Sequence, residues 1–381
     1  MEGALKTHLA PFLLLSAALV AGPALLAGCA SNGGPPASPP VASYAALRSA
    51  ATALDPTGRL ITAYASPVLS RRNGTSRTWF EANAGALPKN QLYVANWYGL
   101  GVEVYAQGKG HRQTGFINTS PYQPNSVHVD GSGDIWVAMN TAGSGPSLEV
   151  FHPGEGSPFR SLTGVNHISV SVAVAKNGTA YVTDENEGTA EIEVFAPGSS
   201  TPTSLLSDPS GTCCGWVAVD AHGNVFFASA TQTGHGGLVD EFVKGTGTPK
   251  SLGIALETFP GGIEVLPDGT LVIVEQGNPG LNVAARIDTF PKGSTTPSSV
   301  ISGNPRCDNW VGPALNANRT KVYVGSTLEA TPGCGIGSTF GAIEEFAYPA
   351  GTALSTFDTG LTNQPGWTLL VPATNPPPPG Q

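Results

Sequence analysis

Short apolar runs separated by glycine, asparagine and aspartate recur along most of the chain. The clearest copy extends from Cys213 to Gly245 and contains three such runs, the second at Val225 to Ala228 and the third ending at Phe242. Apolar runs rich in β-branched and aromatic residues and bounded by turn-forming residues are typical of β-strands. This copy therefore predicts three strands, with a turn at Asp220 to Asn224 between the first two.

The second of these runs occurs six times at a nearly constant spacing. The copies begin at Leu92, Ile135, Ala180, Val225, Leu271 and Val322. The intervals between them are 43, 45, 45, 46 and 51 residues, close to the roughly 40–50 residues of a four-stranded blade in a β-propeller. We therefore predict an all-β protein with a six-bladed β-propeller over residues 88–372.

The other runs of each copy predict the remaining strands and the closure of the ring. The third run alternates apolar residues with carboxylates, as in Ile192 to Phe195, which predicts a half-buried strand. A further run precedes every copy except the first, and a matching run lies at Gly366 to Val371 instead. We expect this C-terminal segment to be the inner strand of the first blade, because closure protects sheet edges.

The repeated pattern carries a family resemblance. The segments Gly215 to Phe227 and Tyr181 to Phe195 resemble the repeat of NHL-repeat and gluconolactonase-like six-bladed β-propellers. The resemblance covers about three quarters of the chain, residues 88–372. It implies the fold but not the activity, since propellers include lyases, lactonases, binding modules and scaffolds.

The first 28 residues have the features of an export signal. Phe12 to Ala21 is apolar and too short to span a membrane as a mature helix. Leu26-Ala27-Gly28-Cys29 resembles the bacterial lipobox, which implies cleavage before Cys29 and fatty acylation of that residue. The alternative is an ordinary signal peptide followed by a coincidental cysteine. No aspartate follows Cys29, so we expect the outer membrane as the anchoring site if the cell has one.

Composition divides the rest of the chain. Residues 29–55 contain clustered glycine and proline and predict a tether, residues 56–87 lie outside the repeat and predict a cap segment, and residues 373–381 are a proline-rich tail. We expect the N-terminal region and the tail to be disordered.

The charge composition restricts the partners. Charged residues make up 12% of the chain, against about a quarter in ordinary globular proteins. The formal net charge is −9, which argues against nucleic acid or anionic lipid as electrostatic partners. We expect an exported monomer that contacts the membrane only through its lipid anchor.

Four cysteines remain besides Cys29, an even number that suits an oxidising compartment. Cys307 precedes the sixth predicted inner strand and Cys334 lies in the longest predicted loop, Ser326 to Gly341, so the two can meet over one mouth of the propeller and we expect them to form a disulfide. Cys213 and Cys214 are adjacent, and a bridge between them requires a strained ring. The redox state of this second pair stays open.

One face of the propeller is the expected binding surface. The loops from the second to the third strand of each blade, and from its fourth strand to the next blade, open on the same side, which we call the top face. The candidate ligand-binding residues on this face are Trp216, Trp310, Trp367, His167 and His235, near an acidic run at Asp184 to Glu187. Aromatic rings at a channel mouth can stack a flat ligand, although the tryptophans would equally serve as packing. We expect His111, His152 and His222 to be exposed turn residues on the opposite face.

A divalent cation is the one cofactor that the resemblance suggests. Gluconolactonase-like relatives hold such an ion in the channel with Glu, Asn and Asp ligands, and the nearest residue types here are Glu264, Asn125 and His128. The corresponding positions of two other inner strands are Ala173 and Ala218, so the match is poor. No catalytic nucleophile motif is present, and no other cofactor is expected.

These features predict a lipid-anchored, extracytoplasmic propeller that binds a protein or a small molecule. One alternative is a metal-dependent, lactonase-like hydrolase with its site at the channel mouth. A second alternative is a structural protein of the cell envelope with no ligand.

Overall fold

The computed structural model of the 381-residue chain describes the repeat region with short gaps. The described residues are 79–80, 91–97, 99–108, 110–141, 145–186, 189–231, 236–277, 282–305, 308, 310–326, 342–357, 361 and 370–372. The side chains of residues 79–80, 186, 212–214 and 370–372 lie outside this description.

The described chain is built from β-strands. The first twelve are β1 (Trp79–Phe80), β2 (Gln91–Asn96), β3 (Gly101–Ala106), β4 (Gln113–Asn118), β5 (Gln123–Val129), β6 (Ile135–Asn140), β7 (Leu148–Phe151), β8 (Arg160–Leu162), β9 (Ile168–Val174), β10 (Ala180–Asn186), β11 (Thr189–Phe195) and β12 (Ser204–Asp208). The others are β13 (Gly211–Val219), β14 (Val225–Thr231), β15 (Gly237–Phe242), β16 (Lys250–Leu256), β17 (Pro260–Val265), β18 (Leu271–Glu275), β19 (Arg286–Phe290), β20 (Ser299–Ser302), β21 (Trp310–Leu315), β22 (Lys321–Ser326), β23 (Ala342–Ala347), β24 (Ala353–Phe357) and β25 (Leu370–Pro372). Among the described residues, one 3-10 turn, Val243–Gly245, follows β15. No helix in this part of the chain has the length and hydrophobicity needed to cross a bilayer.

The strands form six antiparallel sheets, which are the six predicted blades. Blades 2 to 6 each contain four consecutive strands, from β5–β8 to β21–β24. Blade 1 has the order β1-β4-β3-β2-β25. The prediction of an all-β, six-bladed β-propeller is therefore confirmed.

The C-terminal strand closes the ring as predicted. β25 pairs antiparallel with β2, with Tyr93 opposite Val371. At the outer edge of the same sheet, β1 pairs with β4, with Trp79 opposite Phe116. Blade 1 therefore combines strands from both ends of the described chain.

Aspartate side chains organise several of the turns from the first to the second strand of a blade. Asp220 Oδ1 accepts hydrogen bonds from the backbone N–H groups of His222 and Asn224, both at 2.8 Å. Gly223 in this turn has a φ of 82°, a conformation that favours glycine. Asp130 makes the same two bonds in blade 2, so the repeated turn residues predicted from the sequence act through backbone capping.

The hydrophobic core lies mainly in the contacts between neighbouring blades, which we call seams. In the seam between blades 3 and 4, Leu206 of β12 belongs to one buried cluster with Phe227 of β14 and Phe242 of β15. Clusters between other neighbouring blades combine side chains in the same way. Successive side chains of a strand point to opposite faces of its sheet, so each strand contributes apolar groups to the seam with the preceding blade and to the seam with the following blade.

Each third strand also carries one carboxylate at an equivalent position. These seam carboxylates are Glu103, Glu149, Glu193, Asp240, Asp288 and Glu344. The alternation predicted half-buried strands, but Glu103, Asp240 and Asp288 are each at most 2% exposed. The prediction is wrong for these residues because their faces of the strands pack against the preceding blade rather than against solvent.

Candidate functional site

The structure brings two of the residues predicted on the top face together. His167 lies in the loop between β8 and β9, and its Nδ1 is 3.0 Å from Oδ2 of Asp184 on β10. The His167 side chain is 44% exposed, whereas that of Asp184 is 1% exposed. The pair therefore presents an imidazole to solvent from a buried carboxylate.

Local irregularity of blade 3 positions the carboxylate. The pairing of β9 with β10 shifts register between Val182 and Asp184, and Asp184 then lies opposite Ser169. A bulge of this kind changes the direction of a side chain near a strand end. On the other side, Asp184 lies opposite Glu191 of β11, so two carboxylates share this face of the sheet.

The surroundings of the pair are acidic. Burial raises the pKa of Asp184, while the hydrogen bond from His167 opposes the shift. Burial, followed by the charges of Asp184 and Glu191, raises the pKa of Glu193 to about 7. His167 is the only one of the four groups that can carry a positive charge, so the cluster favours a cationic ligand.

The geometry suits binding better than nucleophilic catalysis. Asp184 accepts a hydrogen bond from Nδ1–H of His167, which fixes the orientation of the ring, and the neutral form of the ring then has Nε2 as its acceptor. A His–Asp pair acts as a general base only when a nucleophile lies within hydrogen-bond reach. Among the described residues, no hydroxyl group hydrogen-bonds to Nε2 of His167.

Two of the three candidate tryptophans, Trp216 and Trp310, lie among the described residues, and both are core residues. Trp216 is 1% exposed and donates through Nε1 to the backbone oxygen of Pro260 at 2.9 Å. Trp310 is fully buried and donates to Oε1 of Glu344 at 3.1 Å. Neither ring offers a free face for stacking, so the packing alternative applies to both and the expected aromatic platform has no support from them.

The residues predicted as metal ligands each make contacts of their own. Glu264 Oε2 accepts the backbone N–H of Leu315 at 3.1 Å, and Asn125 donates to the backbone oxygen of Ser169 at 2.8 Å. His128 lies opposite Trp136, and burial lowers its pKa to about 4. Within the described ranges, no group of three or more His, Cys, Asp or Glu side chains is placed to hold a metal ion.

The expectation that His111 is an exposed turn residue is wrong. His111 is 6% exposed, and its ring stacks on Phe357 with centroids 4.2 Å apart. Its Nε2 contacts Oε2 of Glu345 at 3.1 Å and Oγ of Ser355 at 3.0 Å. His222 is exposed as expected, and the His152 side chain is 45% exposed.

Several predicted residues fall outside the described residues. Cys29, His235, Cys307, Cys334 and Trp367 are among them. Cys213 and Cys214 belong to strand β13, and the pairing of this strand with β14 shifts register between Gly211 and Gly215. The side chains of the two cysteines lie outside the described residues. Both disulfides, the lipidation site and the roles of His235 and Trp367 stay predictions.

Comparison with known proteins is informative about the fold. No protein-family model matches the chain, and no curated protein matches it. One chain of the nidogen/laminin complex superimposes with a TM-score of 0.55 at 11% identity, over 75% of this chain and 98% of that one.

Two bacterial structures give similar values. A functionally unknown protein from Desulfotomaculum acetoxidans has a TM-score of 0.52 at 12% identity, over 75% of this chain and 99% of that one. A protein of unknown function from Bacteroides caccae has a TM-score of 0.53 at 10% identity, over 74% and 98%. At these identities the likenesses show a shared fold, and the chain described here is a six-bladed β-propeller.

Proposed function

We propose that this protein is a lipid-anchored, extracytoplasmic binding module that takes up a positively charged group of a partner on its top face. The observation that carries the proposal is the exposed imidazole of His167, held at 3.0 Å by the buried carboxylate of Asp184. Glu191 lies opposite Asp184 across the strands and adds negative charge beside this pair. An ordered acceptor in acidic surroundings suits a primary amine or a guanidinium.

The fold is consistent with this function. Propellers present loops from all blades on one face and commonly serve as interaction modules. The chain of similar fold in the nidogen/laminin complex belongs to a protein–protein assembly, which agrees with a protein partner. The repeat also resembles that of NHL-repeat and gluconolactonase-like propellers, and a relationship to that group is part of this proposal.

The anchoring part of the proposal depends on the N-terminal residues. Leu26-Ala27-Gly28-Cys29 has the lipobox pattern, and two or more acyl chains give stable membrane attachment. Mass spectrometry of the mature protein tests it, because an acylated N-terminal fragment must begin at Cys29. Cys29→Ser should yield an unacylated protein, and an unmodified wild-type N-terminus would remove this part.

An arginine-rich peptide is the probe for the top face. Titration of histidine-labelled protein should shift the His167 resonances, and His167→Gln and Asp184→Asn should each weaken binding roughly tenfold, about 1.4 kcal/mol. His222→Gln is the matched control, because His222 is exposed on the opposite face. Equal affinity for all four proteins, or shifts confined to other histidines, would refute the site.

The hydrolase alternative gains no support from the geometry. Its predicted ligands Glu264 and Asn125 make separate hydrogen bonds to backbone groups. A structural envelope protein predicts no saturable binding to the top face, so the same titration tests that alternative too.

A further inference from the structure

The seam between blades 3 and 4 encloses two carboxyl groups in contact. Asp208 is the last residue of β12, Asp240 lies on β15, and each is 1% exposed. Their side chains are within hydrogen-bonding contact. Two carboxylates removed from water in this way require either a shared proton or a cation.

A serine hydroxyl lies beside the pair. Ser229 is fully buried and lies two residues beyond Phe227, the partner of Asp240 across the strands, so both side chains face blade 3. A methyl group at Gly211 would come within 2.5 Å of Ser229 Oγ and 2.7 Å of Ala190 Cβ. Ala190 is in turn the cross-strand partner of Asp208. These contacts place the hydroxyl near Ala190, whose cross-strand neighbour is Asp208.

Three oxygen atoms of this cluster have no donor. Asp208 Oδ2, Asp240 Oδ2 and Ser229 Oγ are buried and receive no hydrogen bond from the residues that the structure describes. Asp208 Oδ1, in contrast, accepts the backbone N–H of Ser210 at 2.9 Å. No lysine, arginine or histidine in the described part of the chain acts on the charge of Asp240.

In the neighbouring seam, between blades 4 and 5, a cationic side chain lies beside the seam carboxylate. Arg286 of β19 lies between Asp288, the seam carboxylate of blade 5, and Glu257, which directly follows β16 of blade 4. The Nη2 atom of Arg286 is 2.9 Å from Oδ2 of Asp288. In blade 4 the register position of Arg286 is filled by Leu238. Blade 5 therefore has a guanidinium beside its seam carboxylate, whereas blade 4 has a leucine at that register position.

We propose that a hard divalent cation, Ca²⁺ in preference to Mg²⁺, binds between Asp208 and Asp240 in the seam between blades 3 and 4. Carboxylate and hydroxyl oxygens are the ligands that such ions take in proteins, and Ca²⁺ tolerates irregular geometry better than Mg²⁺. The ion supplies the positive charge that Arg286 supplies in the next seam. It joins the two blades and is independent of the His167 site.

Thermal unfolding of the full-length protein in chelator, in Ca²⁺ and in Mg²⁺ tests the proposal at pH 8 or nearby, where a shared proton is least favoured. Ca²⁺ should raise the melting temperature progressively with its concentration, and elemental analysis should find one retained ion per chain. Asp240→Asn should abolish both effects. Leu238→Arg should also abolish them while raising the melting temperature in chelator, because it places a guanidinium where blade 5 has one.

Asp288→Asn is the matched control, because it changes the equivalent carboxylate of blade 5 and should retain the response to Ca²⁺. Asp208→Asn is the second variant if Asp240→Asn does not fold. A wild-type melting temperature that is the same in chelator, Ca²⁺ and Mg²⁺ would show a shared proton only and overturn the proposal. An undiminished Ca²⁺ response in Asp240→Asn would place the ion elsewhere and overturn it as well.

Discussion

His111 Nε2 lies 3.1 Å from Glu345 Oε2 and joins blade 1 to blade 6 across 234 positions of sequence. Glu345 also accepts hydrogen bonds from Ser355 at 2.6 Å and Tyr323 at 3.2 Å, and its Oε1 is 2.6 Å from Nζ of Lys321. Burial raises the pKa of Glu345, but the bonds from Lys321 and Ser355 and the charge of His111 outweigh it, so the net shift is downward. This network stabilises the last seam of the ring.

Removal of the imidazole should therefore weaken the closing seam. We expect His111→Ala to lower the free energy of unfolding by about 1–3 kcal/mol, because buried partners lose a hydrogen bond and a stacked ring. Urea unfolding measures the change. His222→Ala is the control and should change the value by less than about 0.5 kcal/mol, and an equal effect of both variants would contradict the assignment.

Stability should fall as the pH rises from about 4.5 to 7. Burial raises the pKa of Glu264 and of Glu344 to about 7 from the ordinary value of 4.5. Between these two pKa values the folded state keeps protons that the unfolded state has released. The stability that these carboxyl groups contribute is therefore fully present below pH 4.5, the unfolded-state pKa, and is lost as the pH rises through about 7, the folded-state pKa. One unit of pKa shift corresponds to about 1.4 kcal/mol.

Urea unfolding at pH values at both ends of this window measures the effect. Glu264→Gln should flatten the dependence, because an amide does not titrate, whereas Glu155→Gln at an exposed position should leave it unchanged. The lowered pKa of Glu345 acts in the opposite sense but below this window. A wild-type stability that rises between the two ends would contradict the prediction.

Trp216 should behave as a packing residue rather than as a ligand contact. Trp216→Ala removes a buried indole and should cost roughly 3–5 kcal/mol of stability, while Trp216→Phe should cost about 1–2 kcal/mol, chiefly through the bond to Pro260. Neither variant that still folds should change the affinity of the arginine-rich peptide. Selective loss of that affinity with unchanged stability would restore the aromatic platform.

Deletion of residues 370–381 should destabilise the protein by about 3 kcal/mol or more, since it removes β25 and its three cross-strand pairs with β2. The exposed edge of β2 should also promote association. Deletion of residues 374–381 alone is the matched control and should keep wild-type unfolding and elution. Size-exclusion chromatography and thermal unfolding together distinguish the outcomes.

The period of the apolar runs was enough to predict the blades and the pairing of the C-terminal strand with Leu92 and its neighbours. It could not place His111, because the partners of that residue lie in blade 6 and meet it only once the ring is closed. The period also could not show whether the polar face of a strand contacts solvent or the neighbouring blade. Glu103 and Asp288 follow the alternation of a half-exposed strand, yet a second sheet covers them.

Contacts that strand periodicity does not encode explain why no ligand was predictable. His167 and Asp184 are close in sequence and were placed on one face, but their hydrogen bond depends on a bulge that has no clear composition signal. The contact of Asp208 with Asp240 depends on the packing of two blades. Strand periodicity specifies neither.

The pairing of β25 with β2 has a consequence for biosynthesis. Blades 2 to 6 consist of consecutive strands and can form as the polypeptide leaves the ribosome, but the first blade must wait until residues 370–372 have been translated. During that interval β2 presents an open edge to other nascent chains. Chaperones that shield this edge should therefore raise the yield of folded protein.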